Sequence, residues 1–306
     1  MVSKKVLTVQ ATHVDDLFLE IFSEVKPIEL VSVYAHTANL RCGQSIYSIV
    51  SRDNYDAPAT ACVGDGRLFA SLLDLVGTRV SRIGAPTLVF KNGDRLKFDC
   101  AVITNSSLPL LCGNIENCAS SLRVYSDTIS SFPSCPSALA SWVANRPHLS
   151  EIGCGDIELI DRCHRFINAF SNNTSLDSLP PEEVVEKLIG AGVGLTPAGD
   201  DFLCGSISFL MSFDDYLSKS WASFIAQYLS EEMLQSKTTM VSASMLWHAS
   251  QGRLAAPYRR FLSALIEHSE ALRDCVYEIY HIGYSSGLDF SAGAVCMLKR
   301  YLSICE

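Results

Sequence analysis

Two hydrophobic periods divide the chain. In the first part, apolar and polar positions follow one another in short runs: "IELVSVYAH", "SIYSIVS" and "TLVFKNGDRLKFDCAVI" set β-branched and aromatic residues between turn signals, which predicts strands. Asn92-Gly93 sits between two alternating runs and predicts a hairpin. One helical stretch interrupts them, "RLFASLLDLVG", with Leu68, Leu72, Leu73 and Val76 predicted on one face and Gly77 closing it. The Ser/Pro-rich segment "SDTISSFPSCPSA", residues 126–138, reads as a linker.

Beyond residue 138 the period changes to that of a helix. Helices are predicted at 138–146, 156–171, 181–190, 200–213, 218–235, 240–251, 257–282 and 289–303. Leu272, Val276, Ile279 and Ile282 form a clear stripe that Gly283 ends. The pattern therefore predicts an α+β protein: a β-rich mixed domain over 1–130, then an α-helical domain of antiparallel helices over 138–306. A length of 306 residues suits two such domains.

Composition narrows the partners. Apolar residues make up 48% and charged residues 19% of the chain, the balance of a folded protein. A net charge of -9, without any long Lys/Arg run, argues against nucleic acid. No apolar run is long enough for a membrane span, and "MVSKKVLTVQATHVDDLF" lacks the apolar stretch of a signal peptide, so a cytoplasmic location is expected. Twelve cysteines without CxxC pairs read as reduced thiols. Cys112 and Cys118 are the one candidate redox pair, with core packing the better reading. Asn105 and Asn172 begin sequons that mean little in such a location.

The chemistry gathers at three polar loops before helices. In "GVGLTPAGDDFLCG", Thr196 is predicted as N-cap and Pro197 as the first helical residue, with Asp200 and Asp201 in the first turn. Capping accounts for Thr, Pro and Asp. It leaves Gly192, Gly194 and Gly199, which suggest a backbone that approaches a ligand. "SKTTMVSASML" places Lys237, Thr238, Thr239 and Ser242 at a second helix start, and "GYSSGLDFSAGAV" places Ser285, Ser286, Gly287 and Asp289 at a third. Each alone reads as an ordinary cap. If consecutive helices alternate in direction, with 218–235 and 257–282 each a single helix, all three starts lie at one end of the bundle. Such an end, with three helix N-termini, suits a small anion such as phosphate or a carboxylate. The aspartates would then serve proton transfer or hold a metal.

At these residues the chain resembles a known family. GLTPAGDD at 194–201, the Thr238-Thr239 pair with Ser242, and SSGLD at 285–289 are similar to a family of otherwise unknown function that includes the H-type subunit of oxamate carbamoyltransferase, from anaerobic allantoin breakdown. The likeness extends to "HTANLRCG" at 36–43 but is specific only in the C-terminal half. Serine is more usual in the family where this chain has Ala198. Other members carry a loose carboxylase label.

The resemblance implies a subunit of a transferase that interconverts oxalurate and phosphate with oxamate and carbamoyl phosphate, together with other subunits of a complex. On that view Gly194, Leu195, Thr196, Pro197 and Gly199, with Thr238, Thr239, Ser242, Ser286 and Gly287, would hold substrate oxygens. Lys237 would neutralise charge. Asp200 or Asp201 would move a proton or hold a divalent cation such as magnesium, and Asp289 is a third candidate. The rival readings are a non-catalytic substrate-binding or scaffolding subunit, and a nucleotide-using acyl- or carboxyl-group enzyme. His36, His248 and His281 read as structural, and Arg41 and Arg253 as surface residues. No G-x-S-x-G, Walker or H-E-x-x-H motif is present.

Overall fold

A computed structural model describes residues 6–51, 56–84, 86–111, 115–146, 153–170, 182–267 and 270–305. It divides into two compact units, Met1–Ser107 and Leu108–Glu306. Cys112 and Asn172 lie outside the described residues.

The first unit contains β1 (Thr8–Asp15), β2 (Ile28–Val33), β3 (Thr37–Cys42), β4 (Ser45–Val50), β5 (Thr60–Val63), β6 (Arg79–Arg82), β7 (Thr87–Val89), β8 (Arg95–Lys97) and β9 (Val102–Thr104). Their order is β5-β4-β3-β2-β6-β7-β8-β1-β9, and β1 also pairs with β5, so eight strands close into a barrel. Closure depends on β1. Its first half runs parallel to β8, its second half parallel to β9, and a bulge between Ala11 and His13 lets it pair antiparallel with β5. The interior is filled by Val9, Val14, Leu30, Leu40, Ile49, Val63, Leu88 and Leu96. Phe18 joins them from the 3-10 turn Asp16–Phe22, its ring centroid 5.6 Å from Tyr47 and 5.3 Å from Phe98.

The Asn92-Gly93 hairpin forms as its sequence predicts, with β7 antiparallel to β8 and Gly93 at φ +88°. The predicted helix after β5 is shorter than its pattern. α1 (Arg67–Leu72) buries Leu68, Phe69 and Leu72, then tightens into a 3-10 turn. The tighter turn breaks the 3.6-residue phase, so Leu73 and Val76 are exposed instead of buried.

The second unit is helical: α2 (Ile115–Ser131), α3 (Ala138–Val143), α4 (Cys154–Ala169), α5 (Glu182–Glu186), α6 (Ala198–Met211), α7 (Tyr216–Ala226), α8 (Glu231–Lys237), α9 (Met240–Ser250), α10 (Ala256–Ile266), α11 (Leu272–Tyr280) and α12 (Ser286–Cys305). The boundary at 107/108 precedes the segment read as a linker, and residues 115–131 form α2. That helix was hidden by its composition. Its inward positions Ser121 and Thr128 are as buried as Cys118, Tyr125 and Ile129. The Thr128 hydroxyl bonds back to the Val124 carbonyl, and Tyr125 Oη meets Ser291 Oγ at 2.9 Å. Buried hydroxyls satisfied this way look like a polar linker in sequence.

Two predicted single helices are each divided. Residues 218–235 become α7 and α8, with Asp215 and Ser230 as separate N-caps, and 257–282 becomes α10 and α11. At the centre, α6 is buried from Gly199 to Leu210 on every side. It meets α12 backbone to backbone. A Cβ at Gly205 would strike the carbonyl of Phe290, and one at Gly293 the carbonyl of Phe202. This close seat holds the starts of α6 and α12 in register.

Candidate functional site

The α6 start differs slightly from its prediction. Pro197 is the N-cap, at φ -55° and ψ 141°, and no side chain caps the helix. The Thr196 hydroxyl turns instead to Ser286 Oγ, 2.7 Å away. Thr239 does cap α9, accepting the Ser242 N–H at 3.1 Å while donating to the Leu195 carbonyl.

Asp200 joins these loops. Its Oδ1 accepts the Gly190 N–H at 2.7 Å, and its Oδ2 accepts the Ser242 hydroxyl at 2.6 Å and the Thr238 hydroxyl. Burial raises its pKa, and the bonds from Ser242, Thr238 and Gly190 oppose the rise. The loops at α6, α9 and α12 therefore do converge. Strict alternation of helix directions does not produce this, because the extra break between α7 and α8 would send the α9 start to the opposite end. Side-chain bonds to Asp200 and Thr196 bring the loops together.

Asp201 is different. It is 1% exposed, and neither carboxyl oxygen has a hydrogen-bond partner. Burial pushes its pKa well up, and the Asp289 charge adds to the rise. The Ser286 and Thr196 hydroxyls stand close enough to temper the shift but bond to each other. A carboxyl so placed holds its proton far above the usual range. Asp289, in the first turn of α12, accepts the Ser137 hydroxyl at 2.5 Å. Burial raises it to about 6 against the pull of the Ser137 and Ser285 hydroxyls, with the Asp156 charge adding to the rise.

Asp289 also lines a cavity of about 430 Å³, with Ser285, Tyr284, Gly192, Val193 and Ala198 from the loops and Asp156, Glu158 and Arg162 from α4. Ser137, Asp156 and Arg162 carry no signal beyond capping and helix amphipathicity, so sequence reasoning missed them. Arg162 is paired with Glu158 at 2.5 Å and donates to the Lys187 carbonyl at 3.0 Å.

The glycines have a different explanation from the expected one. A Cβ at Gly190, Gly192, Gly199 or Gly287 would strike, in turn, Lys237 O, Ala198 N, Leu188 O or Ile279 O. The Gly199 N–H is already bonded to the Ala191 carbonyl at 2.8 Å, and that of Gly287 to the Ile282 carbonyl at 3.2 Å. These residues bring the protein's own backbone segments together. Of the loop glycines Gly194 alone is open: its φ is +100°, and a Cβ would meet nothing within 4 Å. Beside it Leu195 is half exposed. Lys237 does not supply a free charge, since its ammonium pairs with Glu186 at 2.5 Å.

Among the described residues no group of three or more His, Cys, Asp or Glu is arranged to hold a metal ion. No described helix is long and apolar enough to cross a membrane. His36 bonds Ser51, and Arg41 pairs with Glu29 at 2.6 Å on the surface. Desolvation, with the Arg253 charge, lowers half-buried His248 to about 4. Cys118 is buried, with its Sγ 3.6 Å from the Ile266 carbonyl.

The site is thus a set of buried carboxyls at three tied loops, beside a small cavity, in a helical unit that accompanies a closed β-barrel. A family model, that of oxamate carbamoyltransferase subunit AllH, matches residues 188–298, and the chain resembles this family there. The matched stretch holds all three loops. Ser137 and the α4 residues of the cavity precede it. No solved structure matches the chain.

Proposed function

We propose that the helical unit binds a small substrate of carbamoyl transfer, in the reaction of oxalurate and phosphate to oxamate and carbamoyl phosphate. The observation that carries this is Asp201: an unpartnered, buried carboxyl where three loops meet. In this reaction a phosphate oxygen attacks the ureido carbonyl and a tetrahedral oxyanion forms. The C–N bond then breaks, and the departing nitrogen takes a proton. A carboxyl whose pKa burial has raised can supply it and recover it in reverse. The Asp200 oxygens are engaged with Gly190, Thr238 and Ser242, so Asp200 holds the loops. A divalent cation such as magnesium would take its ligands from Asp201 rather than Asp200.

A non-catalytic, substrate-holding subunit is the second reading. Arg162, the cation among the described cavity residues, is already paired, which favours a partner subunit as the source of charge for phosphate. Thermal-shift titration of the full chain with phosphate, carbamoyl phosphate, oxamate and oxalurate, with and without magnesium, tests the site. A ligand at a hundred times its Kd should add about 2.7 kcal/mol, and Asp201→Asn should abolish the gain. No shift with any of them would remove the site. A shift without turnover by the chain alone would favour the second reading.

A further inference from the structure

The ionisable lining of the cavity is acidic. Asp156, Glu158 and Asp289 face it with Arg162, whose charge is shared with Glu158 at 2.5 Å. Asp156 also accepts the Gly153 N–H at 3.0 Å. Asp201 lies three residues after the cavity residue Ala198, on the same side of α6, and its charge couples to Asp289. Asp201 is the independent sign of a ligand: a buried carboxyl with two oxygens that the protein leaves unpaired. Buried polar atoms are nearly always partnered, and an exception calls for a missing group. An anionic ligand end turned toward Asp156, Glu158 and Asp289 would be repelled, whereas N–H groups would be accepted.

We propose that Asp289 determines specificity by receiving the amide N–H end of the ligand, with Asp201 buried one turn along α6 from the cavity, so that the site selects an amide over a carboxylate of the same shape. This rests on the proposed function and adds an orientation to it: the nitrogen end faces Asp289, and the anionic end points away from it. Asp289 can take another donor, because a carboxylate has about four acceptor positions, and Ser137 occupies one position on Oδ1.

Oxamate and oxalate test this, since they differ only in an amide against a carboxylate oxygen. Each is titrated calorimetrically into the full chain at neutral pH. The wild type should bind oxamate about 10-fold or more tightly than oxalate, as expected when a buried acceptor is otherwise left facing an anion. In Asp289→Asn the preference should vanish or invert, because the new amide can donate to oxalate. Asp289→Ser, which also removes the carboxylate, should reduce it as well, and this second variant decides the matter if the first does not fold. Equal binding of the two by the wild type, or an unchanged preference in both variants, overturns the inference and leaves the small-anion site standing. No binding of either ligand overturns the inference and the proposed function together.

Discussion

Each unit of the molecule buries carboxylates, and they meet different fates. In the barrel, Asp15 is 1% exposed and accepts N–H groups from Ala59 at 2.8 Å, Ser106 at 3.1 Å and Leu17 at 3.2 Å. Asp94 likewise accepts the Leu7 N–H at 2.8 Å and the Asn92 amide at 2.7 Å. In the helical unit Asp200 belongs to this kind. Asp201, the next residue, has the same burial and no partner. Burial with partners marks a bracket of the fold. Burial without them leaves a group poised for a ligand, at a cost in stability.

The comparison can be broken in four ways. The largest effect is expected at the helix seat on which the site depends. Gly205→Val should cost about 3 kcal/mol or more, or prevent folding, because its side chain must displace the Phe290 backbone; urea denaturation or soluble yield reads this. Next, Asp200→Ala should cost about 3 kcal/mol, since it strips the Gly190 N–H and two hydroxyls of their acceptor. Asp201→Asn, by contrast, should leave the melting temperature unchanged or higher at neutral pH while ligand stabilisation is lost. A heavy stability loss there would place Asp201 with the brackets.

Third, Asp289 makes stability depend on pH. Its folded pKa of about 6 exceeds the ordinary carboxyl value of 3.8, so the folded state binds the proton more tightly. That contribution is full below pH 4 and is lost as pH rises through about 6, a change of roughly 3 kcal/mol at most. Chemical denaturation from pH 4 to 7 should show the decline in the wild type and a flatter profile in Asp289→Asn. The smallest effect belongs to Gly194→Ala, about 1 kcal/mol from the positive φ alone. Unchanged ligand binding in that variant would show that the loop tip takes no part.

Much of the architecture was legible in the chain. The Asn92-Gly93 hairpin, the helices beyond residue 138, and the polar starts of α6, α9 and α12 all follow from local pattern. Three features did not. α2 hides because its buried face uses Ser121 and Thr128, and the helix itself satisfies the Thr128 hydroxyl. The breaks after α7 and α10 interrupt apolar stripes that continue across them. Gly192, Gly194 and Gly199 suggested a ligand, but Gly192 and Gly199 are bare because the protein's own backbone lies against them, and only Gly194 is open.

The sequence by itself determined which residues stand at the three helix starts, because capping, turn chemistry and helix period act within a few residues. It could not rank Asp200 against Asp201. Adjacent helical residues point about 100° apart, and what each side chain meets depends on segments far along the chain. Thr238 and Ser242 reach Asp200, whereas Asp201 meets Thr196 and Ser286 already bonded to each other. Only the packing of α6 against α9 and α12 decided which aspartate became part of the frame and which was left without a partner.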